Sequence, residues 1–207
     1  LLATSLAEHF RAQGLRVLLI QDSLTRIAHA AREIGVLLGE PGAARGYPPS
    51  ALSTITKLVE RAGNSAESGG SITAIYTVLA DGDDQNDPVV DTARSILDGH
   101  IVLSRELAQR GQYPAIDVGA SLSRVMNDVV SPQQSALARR LRALVSAYES
   151  NRDLLLMGAY RAGADPLIDR GIALHPQIAE FLKQETDQRV NLDQSVGDLQ
   201  HLLGHDQ

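Results

Sequence analysis

The stretch from Tyr113 to Arg124, Y-P-A-I-D-V-G-A-S-L-S-R, constrains the chain more than any other. A short apolar run, Ala115 and Ile116, ends in Asp117, and a segment of Gly, Ala and Ser then delivers Arg124. This is the pattern of a buried strand that ends in a loop. In α/β proteins such loops carry ligand-contacting side chains, because the strand beneath them is stiff. Tyr113 at the entrance offers a ring that can stack on a flat base, and Arg124 at the exit offers a planar cation suited to phosphate. Taken singly, each also has an ordinary reading. A Tyr before Pro often opens a half-buried strand, and an Arg after Ser is often a solvated loop residue.

The rest of the chain alternates helix and strand up to about residue 131. Leu2, Leu6, Ala7 and Phe10 have helical spacing, with Gly14 placed to end the helix. Val17 to Ile20 is a continuous aliphatic run, expected to be a strand buried on both faces of a parallel sheet. From Leu24 to Leu38 the period is again helical, with Ser23 as the cap. Gly39 to Ser50, rich in Gly and Pro, is a projecting loop, and a second helix covers roughly 51–62. Residues 63–70 form a polar turn, and Ser71 to Leu79 is a strand by composition. The acidic loop Asp81 to Pro88 precedes a short helix, a strand candidate at His100 to Ser104 and a helix at about 105–110.

After Ser131-Pro132 only helices are readable. Leu137 to Ala159 fits one long helix with a break near Asn151, Pro166 and Pro176 are expected to start two more, and a last one runs from about Leu192 to Leu203. A domain boundary near 131 is therefore expected, between an α/β part (1–131) and an all-helical part (132–207).

Composition narrows the function classes. The formal net charge of −6 argues against a dedicated nucleic-acid binder, which would carry a basic face. The absence of cysteine removes disulfides, thiolate metal sites and cysteine nucleophiles, in keeping with a reducing cytosol. With no apolar run of membrane-spanning length and no signal segment, the piece is expected to be soluble. Its first residue is Leu, so a fragment is expected.

The pattern P-A-I-D-x-x-x-S-x-S from Pro114 to Ser123, followed by Arg124, resembles the signature of the rotary ATPase α/β superfamily. The segments V-L-L-I-Q-D-S-L-T-R, G-E-P-G-A-A-R-G-Y-P-P-S, L-V-E-R-A-G-N, G-S-I-T-A-I-Y-T-V-L, G-D-D-Q-N-D-P and S-I-L-D-G-H-I-V-L-S-R follow the order used in that family. Within it the chain is most similar to the flagellar export ATPase, with the ATPase of virulence type III secretion close by. The resemblance implies part of a RecA-like P-loop NTPase core, a mostly parallel sheet with flanking helices, followed by a helical C-terminal domain. It implies an ATP hydrolase that works as a homohexamer, with ATP and Mg2+ as cofactors. The implied partners are a central stalk, export-gate proteins, and exported proteins or their chaperones. The implied location is the cytoplasm, peripheral to the inner membrane.

The same resemblance assigns roles to residues. Asp22, at the end of the first strand, would hold Mg2+ through water, as strand-end carboxylates do in NTPases. Ser23 and Arg26 match its neighbours at the nucleotide pocket, although an exposed first-turn residue is an equal reading for Arg26. Arg124 matches an arginine finger that enters a neighbouring subunit's site, and Tyr113 matches the aromatic that stacks on adenine in the chain's own site. One chain would then serve two sites. Thr186 stands where the rotary synthase has a Phe as the second adenine wall. A phosphate-binding loop needs Gly-Lys-Ser/Thr, and neither lysine, Lys57 or Lys183, follows a glycine. That loop and the catalytic glutamate are expected upstream.

Gly39 to Ser50 and Asp81 to Pro88 resemble the two loops that face the central channel in this family. Asp81, Asp83, Asp84 and Asp87 do not make an EF-hand, since Asn86 and Thr92 occupy the Gly and Glu positions. His201 and His205 are four apart near a polar terminus and are not read as a metal site. No nucleophile-elbow pattern surrounds any serine. Two other functions share the fold: a ring translocase on nucleic acid, which the acidic loop opposes, and a ring member that binds nucleotide without turnover.

Overall fold

A computed structural model describes residues 1–80, 84, 86 and 87–204. The chain forms two compact units, Leu1–Leu97 and Asp98–Gln207.

In the first unit, α1 (Leu2–Ala12) precedes β1 (Arg16–Gln21). Gly14, at φ +79°, makes the reversal between them. Helices α2 (Leu24–Leu37) and α3 (Pro49–Val59), strands β2 (Gly63–Asn64) and β3 (Ser71–Tyr76), and α4 (Pro88–Ile96) follow. β1 and β3 are parallel neighbours, with Arg16 opposite Ser71 and Gln21 opposite Tyr76, and β2 adds an antiparallel pair at the other edge of β3. One face of this sheet is packed, through Leu19 and Ile72 against Ala7 of α1. The other is open: Leu18, Ile20 and Ile75 are 62%, 66% and 53% exposed. Among the described residues β1 is thus at the sheet edge and covered on one side, where its aliphatic run predicts cover on both. A larger core joins α2, α3 and α4 through Leu24, Ala28, Ile55, Leu58 and Val89.

In the second unit, β4 (Gly99–Leu103), α5 (Arg105–Gln109) and β5 (Ile116–Ser123) come first. β4 and β5 form a separate two-stranded antiparallel sheet, so the signature stretch is not the end of a strand in the parallel sheet. Helices α6 (Met126–Val129), α7 (Pro132–Leu156), α8 (Pro166–Phe181) and α9 (Leu192–Gly204) complete it around Leu141, Leu144, Ile178, Leu199 and Leu203. α7 runs through Asn151 without a break, the Asn151 amide donating to the Ala147 carbonyl at 2.9 Å. Pro176 lies inside α8 and does not start a helix. No helix among the described residues is long and apolar enough to cross a membrane.

Candidate functional site

Asp22, Ser23 and Arg26 follow β1 in the first unit, at the carboxyl ends of the parallel pair, where α/β sheets place ligands. Asp22 is exposed, and its Oδ1 accepts a hydrogen bond from the Thr77 hydroxyl at 2.6 Å. The backbone is stitched at the same place. Thr77 N donates to the Gln21 carbonyl at 3.1 Å, and Leu24 N donates to the Thr77 carbonyl at 3.0 Å. One turn on, the Thr25 hydroxyl accepts from Leu79 N at 2.9 Å. The strand end is therefore held by the chain leaving β3, and the Asp22 carboxylate is aimed by that chain.

Ser23 is 2% exposed, and its hydroxyl accepts from the Arg26 backbone N–H at 3.3 Å, capping α2 as its position predicts. Arg26 is an exposed first-turn residue. Two polar atoms close by, Gln21 Oε1 and the Tyr76 hydroxyl, are buried without a protein partner among the described residues, and burial pushes the Tyr76 phenol above its ordinary pKa.

The donor set bears on the implied Mg2+. Among the described residues no group of three or more acidic or histidine side chains could hold a metal alone. Nucleotide-bound Mg2+ needs no such cage; it keeps several waters and takes one or two carboxylates beside the phosphates. One exposed strand-end carboxylate with a single oxygen engaged fits that requirement.

Tyr113 and Arg124 stand at opposite ends of β5 in the second unit. Tyr113 is 60% exposed, and its carbonyl accepts from Gln184 N at 2.9 Å, which brings the turn after α8, with the exposed Thr186, beside it. Arg124 is exposed, and its backbone N–H donates to the Asp98 carbonyl at 2.7 Å.

Between them the signature residues build a bulge. Asp117 pairs with Val102 and Leu122 with His100, so residues 118–121 of β5 oppose only Ile101. Asp117 Oδ1 accepts from Ala120 N at 2.9 Å. The Ser121 hydroxyl donates to the Asp117 carbonyl at 2.6 Å and accepts from Val102 N at 2.9 Å, replacing the lost ladder partner. The D-x-x-x-S spacing is thus the chemistry of a bulge. What reads as a loop after Asp117 is this bulge, inside a strand that continues to Ser123.

The other sequence candidates resolve locally. Arg45, in the Gly39–Ser50 loop, forms an ion pair with Asp84, whose carboxyl is held below its usual range by the Asn86 backbone N–H and then by Arg45. Asp87, 7% exposed, caps α4 by accepting from Val89 N and Val90 N. Asp81 and Asp83 lie outside the described residues. So does His205, while Nδ1 of His201 is 2.8 Å from the Gly197 carbonyl.

The ATP synthase alpha/beta family, nucleotide-binding domain, matches residues 1–123, and the chain belongs to that family. The T3SS EscN ATPase C-terminal domain matches residues 130–201. The flagellum-specific ATP synthase of Salmonella typhimurium is 54% identical over 94% of this chain and 42% of its own length. The type 3 secretion system ATPase of Pseudomonas savastanoi pv. phaseolicola is 52% identical over 97% of this chain and 44% of its own. The chain thus spans less than half the length of these relatives. Among solved structures, the assembled ATPase EscN of the enteropathogenic E. coli type III secretion system superposes with a TM-score of 0.90 at 45% identity, over 96% of this chain and 48% of EscN. EscN is also known in complex with its central stalk EscO. The α/β part with a helical continuation agrees with the fold expected from the sequence.

No local motif marks Thr77 in the sequence, because its partner Asp22 lies 55 residues away along the chain.

Proposed function

We propose that this chain is the later part of an ATP-hydrolysing ring subunit that energises type III protein export, flagellar in preference to injectisome. Identity is 54% to the flagellar relative and 52% to the injectisome one. The observation that carries the reading is the arrangement of the signature stretch. A bulge built by Asp117 and Ser121 separates an exposed aromatic at one end of β5 from an exposed arginine at the other.

In this reading the functional boundary lies near residue 131. Asp22, aimed by Thr77, holds the waters of Mg2+. When bound, the ion neutralises charge that builds on the phosphoryl oxygens. Tyr113 stacks on adenine in the chain's own site, with Ser23 and Arg26 bracing the pocket, and Arg124 reaches the phosphates of the next subunit. The phosphate loop and the catalytic glutamate come from the rest of the longer protein. The ring is a homohexamer around a central stalk, it meets export-gate proteins and exported proteins or chaperones, and it works in the cytoplasm at the inner membrane. The acidic balance opposes nucleic acid as a partner.

The test uses the full-length protein. Arg124→Ala should abolish turnover while ATP binding persists, since a cation at the developing charge contributes about 10³–10⁵ in rate. Mixing it with a phosphate-loop mutant under subunit exchange should restore part of the activity, because one interface in a mixed pair is intact. Mixed rings without any rescue would overturn the trans role.

A further inference from the structure

Helix α7 contacts the chain on both sides of Arg124, at backbone carbonyls before it and at a side chain after it. Before it, Nη2 of Arg142 donates to the carbonyls of Gly119 at 3.2 Å and Ser121 at 2.8 Å, both within the bulge. After it, the buried Ser135 hydroxyl donates to Oδ1 of Asn127 at 2.8 Å and accepts from Nη1 of Arg139 at 3.0 Å.

The bulge explains why a clamp is needed. Residues 118–121 have left the β4–β5 register, so Gly119 and Ser121 have no strand partner to fix their carbonyls. Asp117 and the Ser121 hydroxyl tie the bulge to itself and to β4, and Arg142 ties its carbonyls to a helix. A group that must meet a transferring phosphate has to be held within about 0.5 Å of its productive place. A soft bulge three residues before Arg124 would defeat that.

We propose that Arg142 is a positioning residue for Arg124: by pinning the bulge to α7 it fixes where Arg124 points, and it touches no nucleotide itself. This rests on the reading of Arg124 given above. It makes α7 the element through which the helical part of the chain acts on the neighbouring site.

The experiment uses the full-length ring. Arg142→Ala should lower kcat roughly 10–100-fold, the scale of a small misplacement of a catalytic group. KM for ATP should stay within about twofold, because the chain's own pocket is untouched. Arg142→Lys keeps a cation with several donors and should recover much of the loss. The double variant Arg124→Ala/Arg142→Ala should be no slower than Arg124→Ala alone, since the two act as one unit. Amide exchange followed by mass spectrometry should quicken over 118–124 and stay unchanged in α8. If Arg142→Ala does not fold, Arg142→Gln, shorter and neutral, takes its place in every comparison. Normal turnover in the Arg142 variants with an inactive Arg124→Ala would overturn this inference and leave the role of Arg124 standing. Normal turnover in Arg124→Ala would remove the role of Arg124, and this inference with it.

Discussion

The carboxylate of Asp22 accepts a 2.6 Å hydrogen bond from the hydroxyl of Thr77, so the chain leaving β3 orients the residue that follows β1. One oxygen is engaged and the other remains open to a metal-bound water, as a carboxylate offers lone pairs on both. In the full-length protein, Asp22→Ala should leave ATP binding detectable and remove hydrolysis. Thr77→Val keeps the carboxylate but frees its rotation. It should raise the Mg2+ concentration needed for half-maximal turnover several-fold, read from a Mg2+ titration at fixed ATP. Identical titration curves for Thr77→Val and wild type would show that the hydrogen bond does not orient the site.

Packing in the second unit depends on a glycine. A Cβ at Gly171, in the buried seam between α7 and α8, would lie 2.9 Å from the Leu144 carbonyl oxygen, which is backbone and cannot swing away. Gly171→Ala should cost about 1–3 kcal/mol, the range for overpacking a tight contact. A thermal melt followed by circular dichroism should fall by several degrees. An unchanged midpoint would mean that the helices pack less closely than this.

Particular residues show how far the sequence carried. Ser23 was legible as a cap because capping is local, and Pro166 as a helix start for the same reason, with Asp165 accepting from Leu167 N and Ile168 N. Pro176 misled: a proline usually breaks a helix at a cost of about 3 kcal/mol, but Gly171 and Ile178 are buried on either side of it and hold α8 together. Tertiary packing overrode the local preference. The segment after Asp117 misled similarly, since a serine hydroxyl that substitutes for a strand partner looks in sequence like loop composition. The roles proposed for Asp22 and Arg124 come from the family resemblance, whereas the hydrogen bonds of Thr77 to Asp22 and of Arg142 to Ser121 span distances along the chain that no periodicity records.

His175 supplies a pH dependence. Its ring stacks on Tyr148 with centroids 3.6 Å apart, and burial holds its pKa below the ordinary imidazole value, with Arg110 and Arg152 pushing the same way and Glu149 opposing. The folded state therefore binds this proton less readily than the unfolded state. Its contribution to stability is full above the unfolded pKa, about 6.5, and declines as pH falls from there towards the folded value. As pH falls below about 6.5, denaturant midpoints for wild type should drop, and His175→Phe should flatten part of that drop. The same slope in both proteins would assign it to other groups.

The adenine contact proposed for Tyr113 carries the last prediction. Tyr113 presents one ring, and its carbonyl bonds Gln184 N at 2.9 Å, so the turn carrying Thr186 lies beside it. That turn is braced by Gln188, whose N–H donates to the Glu185 carbonyl at 3.1 Å and whose carbonyl accepts from the Gln184 side chain at 2.9 Å. A threonine offers no π face, so a base held here would be stacked on one side only. In the full-length protein, Thr186→Phe should supply a second face. A base–aromatic contact is worth roughly 1–3 kcal/mol, so KM for ATP should fall several-fold with kcat little changed. Tyr113→Ala should move KM in the opposite direction, and the gain from Thr186→Phe should shrink when Tyr113 is absent, because the sandwich needs both walls. Steady-state kinetics on the four proteins measure this coupling directly. A KM for ATP that ignores both substitutions would mean that adenine binds away from this turn.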